Sequence, residues 1–314
     1  MQKHVINKEH YDKITDFDCI VIGAGPAGLS ASLTLGRARR KVGLFDDGSN
    51  RNRVTTMSHG FISRDGIKPQ QLKDIVLAEI AQYPSTSYFH TKVTEVTKES
   101  GNETFIVKTA DHEQYRAEKI VLATGIQEKF SIPNVRDYYG TSLFSCTYCD
   151  GWEMKDKPLI VIAEQEKFML HMATLIYNWS KDIVLITNGA DISKEAMQSL
   201  QKRHITIKTE PVKKLLGNNG HLQGVEFNTG EILKRSGGFI VPTFYRHNTF
   251  VEQLGCEVDE NGTVITDGMS RTTQNNIYIA GETEKKAPSS VTIAAAEGNK
   301  AAIAVNSDLV SQRF

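Results

Sequence analysis

Phe17-Asp18-Cys19-Ile20-Val21-Ile22-Gly23-Ala24-Gly25-Pro26-Ala27-Gly28 is the stretch whose reading decides the fold. An apolar run of strand character leads straight into Gly23-x-Gly25-x-x-Gly28. From Pro26 to about Arg40 the pattern becomes helical, with Ala27, Leu29, Ala31 and Leu33 recurring on one side. Val42 to Phe45 then reads as the next strand. Strand, glycine-rich turn, helix and strand form a βαβ unit, and its parallel strands imply a doubly wound sheet. The first glycine permits the tight turn, and the second lets the backbone approach a pyrophosphate. The third lets the helix pack on the sheet. Pro26 and Ala27 open that helix, whose first amides point at phosphates. Asp46, at the end of the second strand, is the acceptor expected for an adenosine ribose hydroxyl.

Further along, Val93–Val96, Thr104–Thr109 and the segment near Tyr115 read as a β meander with charged outer faces. Lys119 to Gly125 is an apolar strand ending in a glycine turn. A new segment begins near Pro133 and carries Cys146-Thr147-Tyr148-Cys149. Pro158–Ile162, a helix over about Glu166–Asn178 and a strand over Asp182–Thr187 make a second βαβ unit. Short strands fill 205–241. Asn276–Glu282 returns to an apolar strand, and an alanine-rich helix runs from Pro288 to about Asp308. The expected fold is α/β, with two Rossmann-like, three-layer units of the nucleotide-binding type.

The chain of 314 residues is long enough for two domains of ordinary size. Its 39% hydrophobic and 24% charged residues suit a soluble globular protein. Lys+Arg (37) balances Asp+Glu (37), so no basic field argues for nucleic acid or a membrane surface. No apolar run is long enough to span a bilayer. Met1 to Phe17 is polar and lacks the apolar core of a signal peptide, which makes the cytoplasm the expected location.

Of four cysteines, Cys19 and Cys256 stand alone and read as small buried thiols. Cys146 and Cys149 form the one CxxC. A zinc ribbon needs a second such pair or a histidine pair, and none is visible, so no metal site is expected. A CxxC at a helix start places two thiols one turn apart, near amides that favour thiolate. One thiolate can then attack a substrate while the other resolves the mixed disulfide.

The opening motif, Ala123-Thr124-Gly125, Cys146-x-x-Cys149-Asp150-Gly151 and Ala280-Gly281-Glu282 follow one another as in low-molecular-weight thioredoxin reductases, which residues 17–314 resemble. With Arg51-Asn52 and His59-Gly60-Phe61-x-x-Arg64-Asp65-Gly66, the chain resembles their dithiol-oxidase branch. The resemblance implies FAD and a homodimer. It also implies a discontinuous FAD domain, 1–128 and 243–314, around an inserted domain, 129–242, that carries the cysteines. Cys149 would be the thiol facing the flavin and Cys146 the interchange thiol, with Asp150 as its acid/base. The bland alternative for Asp150 is an exposed acid at a helix N-terminus. Asn52, Thr124, Gly125, Gly281, Glu282, Ser290 and Val291 would complete the cofactor site. Glu282 stands where the family usually has the Asp that binds the ribityl chain. The helix from Ser289, Ser290 and Val291 would point its positive end at the flavin pyrimidine. That branch often has a histidine beside the cysteines, but Ser145 precedes them here. His59, His171 and His247 are the candidates from elsewhere in the chain.

The second glycine-rich turn of NADPH-using relatives is absent. Leu159-Ile-Val-Ile-Ala163-Glu164-Gln165-Glu166 keeps the strand and helix but has no glycine between them. Glu164 and Glu166 put negative charge where phosphates belong, and Thr187-Asn188-Gly189 supplies no arginine for a 2′-phosphate. Electrons would therefore travel another way. In one reading a dithiol reduces the CxxC and oxygen takes the electrons. In the other, a protein donor such as reduced ferredoxin feeds the flavin, which reduces a disulfide of a small molecule or thioredoxin-like protein. A non-catalytic flavin redox sensor is the third.

Overall fold

The structure is a computed structural model that describes residues 14–314. The expected polar N-terminal stretch lies, over residues 1–13, outside the described residues. Strand β1 (Thr15–Ile22) begins two residues before the apolar run and leads through the glycine turn into α1 (Pro26–Arg37) and β2 (Val42–Phe45). Helix α2 (Pro69–Ile80) and β3 (Thr86–Phe89) follow. Strands β4 (Val93–Lys98), β5 (Phe105–Thr109) and β6 (Gln114–Leu122) form the meander. One seven-stranded sheet results, in the order β3-β2-β1-β6-β5-β4, and β17 (Ile277–Ile279) joins it by pairing in parallel with the second half of β6.

Alternation along β1 explains why both faces of this sheet are covered. Cys19 and Val21 point into a core shared with α1 and with α8 (Val291–Arg313), whereas Ile20 and Ile22 point into a core with Phe45, Phe105 and Phe250. A parallel sheet buried on both faces needs apolar residues at successive positions, which this run supplies. Cys19 and Cys256 are both buried free thiols.

The chain leaves this layer along β7 (Gln127–Lys129) and returns along β16 (Thr243–Tyr245), and the two pair antiparallel. Between them stand β8 (Leu143–Phe144), α3 (Thr147–Asp150), β9 (Leu159–Ile162), α4 (Glu166–Ile176), β10 (Ile183–Ile186), α5 (Lys194–Gln201) and β11 (Thr206–Lys208). An antiparallel layer of β12 (Val212–Asn218), β13 (His221–Phe227) and β14 (Ile232–Lys234) precedes β15 (Gly237–Ile240). A parallel sheet β11-β10-β9-β15-β8 forms the middle layer. Its Val161, Leu185 and Phe239 pack with Met169, Ala173 and Ile176 of α4, and its opposite face packs on Leu215, Val225 and Phe227. The two three-layer α/β units are therefore both present. Short helices α6 (Phe250–Gln253) and α7 (Glu282–Lys285) complete the chain before α8.

Some elements differ from the sequence reading. The segment near Tyr115 and the strand from Lys119 are one continuous strand, β6. Helices α2 and α5 and strand β3 had no assignment. Helix α8 begins at Val291, where the Ser290 hydroxyl accepts from Ile293 N at 3.2 Å, and it runs to Arg313 rather than Asp308.

Candidate active site

A cavity opens at the C-terminal end of β1 and β2, where doubly wound sheets hold their ligands. Gly23, Gly25, Pro26, Ala27, Asp46, Asn52, Thr124, Gly125, Gly281, Glu282, Ser290 and Val291 line it, so twelve of the thirteen cofactor residues expected from sequence converge. Gly28 is the exception, and its part is packing: a Cβ there would lie 1.7 Å from the Gly23 carbonyl oxygen. At Gly25 the reverse holds, because a Cβ would meet no protein atom within 4 Å. That glycine leaves backbone bare toward the cavity, as close approach by a pyrophosphate requires.

From the turn the cavity extends two ways. One end is bounded by Asp46, Asp47, Thr91, Lys92, Val93, His247 and Asn248, and the other by Asn52, Glu282 and Ser289–Val291. Asn248 Oδ1 accepts from Phe250 N at 3.3 Å, whereas its Nδ2 is buried and has no protein partner. An orphaned buried donor facing a cavity calls for a ligand acceptor. The cavity thus fits a dinucleotide: bare backbone at the centre, a spare donor at one end and a helix N-terminus at the other. The Thr91–Val93 and His247–Asn248 contributions were not visible in the sequence, since they follow β3 and β16, which carry no motif.

The two acids expected to hold the cofactor are both tied within the protein. Asp46 Oδ1 accepts from Ala24 N at 2.8 Å, and Oδ2 accepts from Gly48 N at 2.9 Å and Lys73 Nζ at 2.5 Å. Glu282 takes a two-point grip from Arg51, with Nε–Oε2 at 3.0 Å and Nη2–Oε1 at 2.5 Å. It also accepts from Ser289 N at 2.7 Å, which fixes the approach to α8. The longer arm that Glu has over Asp is therefore used to reach Arg51 and the Ser289 amide.

Arg51 lines a second, adjoining cavity together with Asn52, Ser289, Ser290 and Val291, and this one contains Cys146, Cys149 and Asp150. The dithiol cavity and the first cavity thus share walls. Cys146 and Cys149 are joined as a disulfide, with Cα atoms 5.3 Å apart. Cys146 caps α3, its sulfur accepting from Cys149 N at 3.2 Å. From Arg51 a polar chain leads toward the cysteines: Nη1 is 3.5 Å from Glu128 Oε1, which accepts from Tyr139 Oη at 3.1 Å. Tyr139 Oη lies 2.7 Å from Ser145 Oγ, beside Cys146. Burial pushes the Tyr139 hydroxyl pKa up, and the Glu128 charge adds to this, so it remains a protonated donor.

Asp150 is only 8% exposed, which sets aside the bland alternative of an exposed acid at the helix start. Burial raises its carboxyl to about 7, the Glu153 charge adds to this, and Arg51 opposes it. Of the three histidines, His59 alone lines the dithiol cavity. Its Nε2 lies 3.5 Å from Glu153 Oε1 and its Nδ1 lies 3.5 Å from Asp65 Oδ1. His247 lies at the other cavity, and His171 is exposed on α4. Tyr148 and Trp152 beside the dithiol are 78% and 66% exposed.

In the second unit the crevice above β9 and β10 is crossed by the chain's own side chains. Glu164 Oε1 accepts from Asn188 Nδ2 at 2.6 Å and from the Ser131 hydroxyl. Glu166 Oε2 accepts from Ser193 N at 2.5 Å. Asn188 Oδ1 in turn accepts from Val212 N at 2.8 Å.

A family model described as pyridine nucleotide-disulphide oxidoreductase matches residues 17–298. A crystal structure of a putative thioredoxin reductase TrxB from Bacillus anthracis is 56% identical, covering 95% of this chain and 100% of that one, with a TM-score of 0.93. The crystal structure of HlmI is 32% identical, covering 95% of this chain and 94% of that one, with a TM-score of 0.89. A probable thioredoxin reductase from Arthroderma benhamiae is 29% identical over 95% of this chain and 81% of its own length.

Proposed function

Because the chain belongs to the pyridine nucleotide-disulphide oxidoreductase family, we propose that it oxidises dithiols to disulfides, with oxygen as the acceptor and without ordinary use of NADPH. It is a thioredoxin-reductase-like flavoprotein with FAD as cofactor, and an oxidoreductase acting on sulfur groups. The observation that carries the finer reading is the crevice over β9 and β10. A pyridine nucleotide there would meet Glu164 and Glu166 instead of bare backbone amides, and like charges would repel its phosphates.

Gly23, Gly25, Pro26 and Ala27 would hold the pyrophosphate, with Gly28 packed behind them and Asp46 serving the adenosine ribose. Asn52, Thr124, Gly125, Gly281, Glu282, Ser290 and Val291 would surround the flavin end. Bound FAD supplies two-electron acceptance from the dithiol and donation to oxygen. In the protein's half of the reaction, a substrate thiolate attacks Cys146 Sγ, breaks the Cys146–Cys149 bond and releases Cys149 as thiolate. The second substrate thiolate attacks its partner sulfur in the mixed disulfide and releases Cys146, so the substrate leaves as its disulfide. A carboxyl near pH 7 suits Asp150 to hold or release the proton at Cys146 Sγ. His59, whose ring nitrogens lie 3.5 Å from Asp65 and Glu153 carboxylate oxygens, is the one candidate histidine beside the dithiol.

The β7–β16 ribbon supports dividing the chain into an FAD unit, 1–128 with 243–314, and an inserted unit, 129–242. The family resemblance supports a homodimer, and the polar stretch before Phe17 is the ground for a cytoplasmic location; among the described residues no helix is long and apolar enough to cross a membrane. A second reading has one observation in its favour. The exposed rings of Tyr148 and Trp152 suit a protein partner, as a thioredoxin-type disulfide reductase fed by ferredoxin would need. Anaerobic titration of the flavin absorbance decides between the two. Rapid bleaching by a small dithiol, followed by recovery and peroxide formation on admitting air, supports the oxidase. Bleaching by reduced ferredoxin alone supports the reductase, and bleaching by neither leaves a redox sensor.

A further inference from the structure

Helix α2 turns Leu72 and Ile80 inward, and among the positions it buries is also a lysine. Lys73 is 7% exposed, and its ammonium lies 2.5 Å from Asp46 Oδ2. A buried lysine is rare unless paired, because an ammonium stripped of water must find another partner. The pairing must therefore serve something that an apolar residue at this point on α2 would not.

The carboxylate it pairs with is the joint of three segments. Asp46 receives Ala24 N from the glycine turn, Gly48 N from the bend after β2, and Lys73 from α2. Ala24 lies between Gly23 and Gly25, so the rotamer of Asp46 sets the position of the turn whose backbone faces the cavity. Asp46 is only 5% exposed, and without Lys73 its carboxylate would lose one of its three partners and be free to swing toward water. Such a swing would release Ala24 and remove the acceptor at the ribose end. Lys73 itself is not among the residues lining the cavity, so its influence must pass through Asp46.

We propose that Lys73 is a positioning residue of the flavin site, holding the Asp46 carboxylate aimed across the Gly23–Gly28 turn so that the adenosine half of FAD is bound tightly. This rests on the reading that the turn and Asp46 receive the dinucleotide. The test uses reversibly deflavinated full-length protein, with FAD affinity measured by quenching of flavin fluorescence and apo stability by thermal unfolding. Lys73→Met should weaken FAD binding by about tenfold or more, the equivalent of about 1.4 kcal/mol or above. Lys73→Arg, which keeps the charge, should recover most of that loss. Should Lys73→Met fail to fold, Lys73→Ala, which leaves Asp46 in place and room for water beside its carboxylate, takes its place and should likewise weaken FAD binding. A role confined to anchoring α2 would lower the apo melting temperature and leave FAD affinity at the wild-type value in whichever variant folds; that result overturns the proposal. Gly25→Leu separates the two levels. If it keeps full flavin, the placement of the pyrophosphate is wrong; if it loses flavin while Lys73→Met does not, only the role of Lys73 is wrong.

Discussion

Glu164 accepts a hydrogen bond from Asn188 Nδ2 at 2.6 Å, joining the turn after β9 to the end of β10. In a dinucleotide-binding unit those two points flank the phosphates and the ribose, so the contact lies across the entry. Reduction of the flavin by NADPH at micromolar concentration should therefore be negligible, as stopped-flow absorbance under anaerobic conditions would reveal. Saturable reduction at the rates of ordinary reductases would contradict the oxidase reading at its base. Replacing Glu164 and Glu166 by glycine and serine should not restore it, because no arginine is present for the 2′-phosphate.

The two cysteines should separate spectroscopically. Cys146→Ser leaves Cys149 as a lone thiolate on the flavin side, and a thiolate donating into an oxidised ring system gives a long-wavelength absorbance band. Cys149→Ser should lack the band yet form a mixed disulfide with an activated thiol through Cys146. Both variants should stay yellow, and both should lose dithiol turnover. A band in Cys149→Ser alone would reverse the assignment, and normal turnover in either variant would remove the dithiol from the mechanism.

Asp150 makes a prediction about stability as well as rate. Its carboxyl is raised by burial to about 7 in the folded chain, well above its ordinary value of 3.8. Between those limits the folded state binds more protons than the unfolded state, so stability should fall as pH rises through that window. The slope approaches about 1.4 kcal/mol per pH unit where only the folded form is protonated. Asp150→Asn should flatten this contribution in denaturant unfolding from pH 4 to 8, and it should lower turnover by roughly 10²-fold or more. An unchanged pH slope would mean that Asp150 is ionised in the folded protein at neutral pH.

Gly25→Leu should yield folded, colourless protein. The new side chain meets no protein atom on leaving the backbone, so it enters only the space assigned to the pyrophosphate. The melting temperature of the apo form should stay within a few degrees of wild type, while flavin content after purification should fall close to zero. Full flavin occupancy would move the phosphate site elsewhere.

How much of this was legible in the sequence depended on whether a local rule was in force. The run from Phe17 to Gly28 imposes its turn through glycine sterics, and the structure follows it residue by residue. Cavity residues such as Thr124-Gly125 and Gly281-Glu282 were found through the family resemblance, since no local rule assigns them to a ligand. Helix α2 was missed because only Leu72 and Ile80 among its apolar residues are fully buried and Lys73 interrupts the pattern. Asn248 was invisible because the cavity it lines is built largely by residues 22–125, far from it in sequence, and Tyr139 because its partners Glu128 and Ser145, though only 11 and 6 positions away, belong to no motif. His59 stood in a quoted motif, but only folding brings it beside Glu153. The burial of Asp150 was not legible for a related reason: the second wall of its cavity comes from residues 51–59 and 289–291, so the sequence left the exposed acid open as an alternative to the acid/base role.

The strand β17 and the first turn of α8 have a consequence for how the protein matures. Residues 281–294 form one whole side of the cavity that begins at residue 22. During translation the glycine turn emerges from the ribosome early, but it faces an open half-shell until that late segment has been made and docked. The chain must therefore reach nearly its final tertiary arrangement before it can retain flavin. Flavin retention is therefore a late event, set by docking of the C-terminal helix and not by formation of the glycine turn.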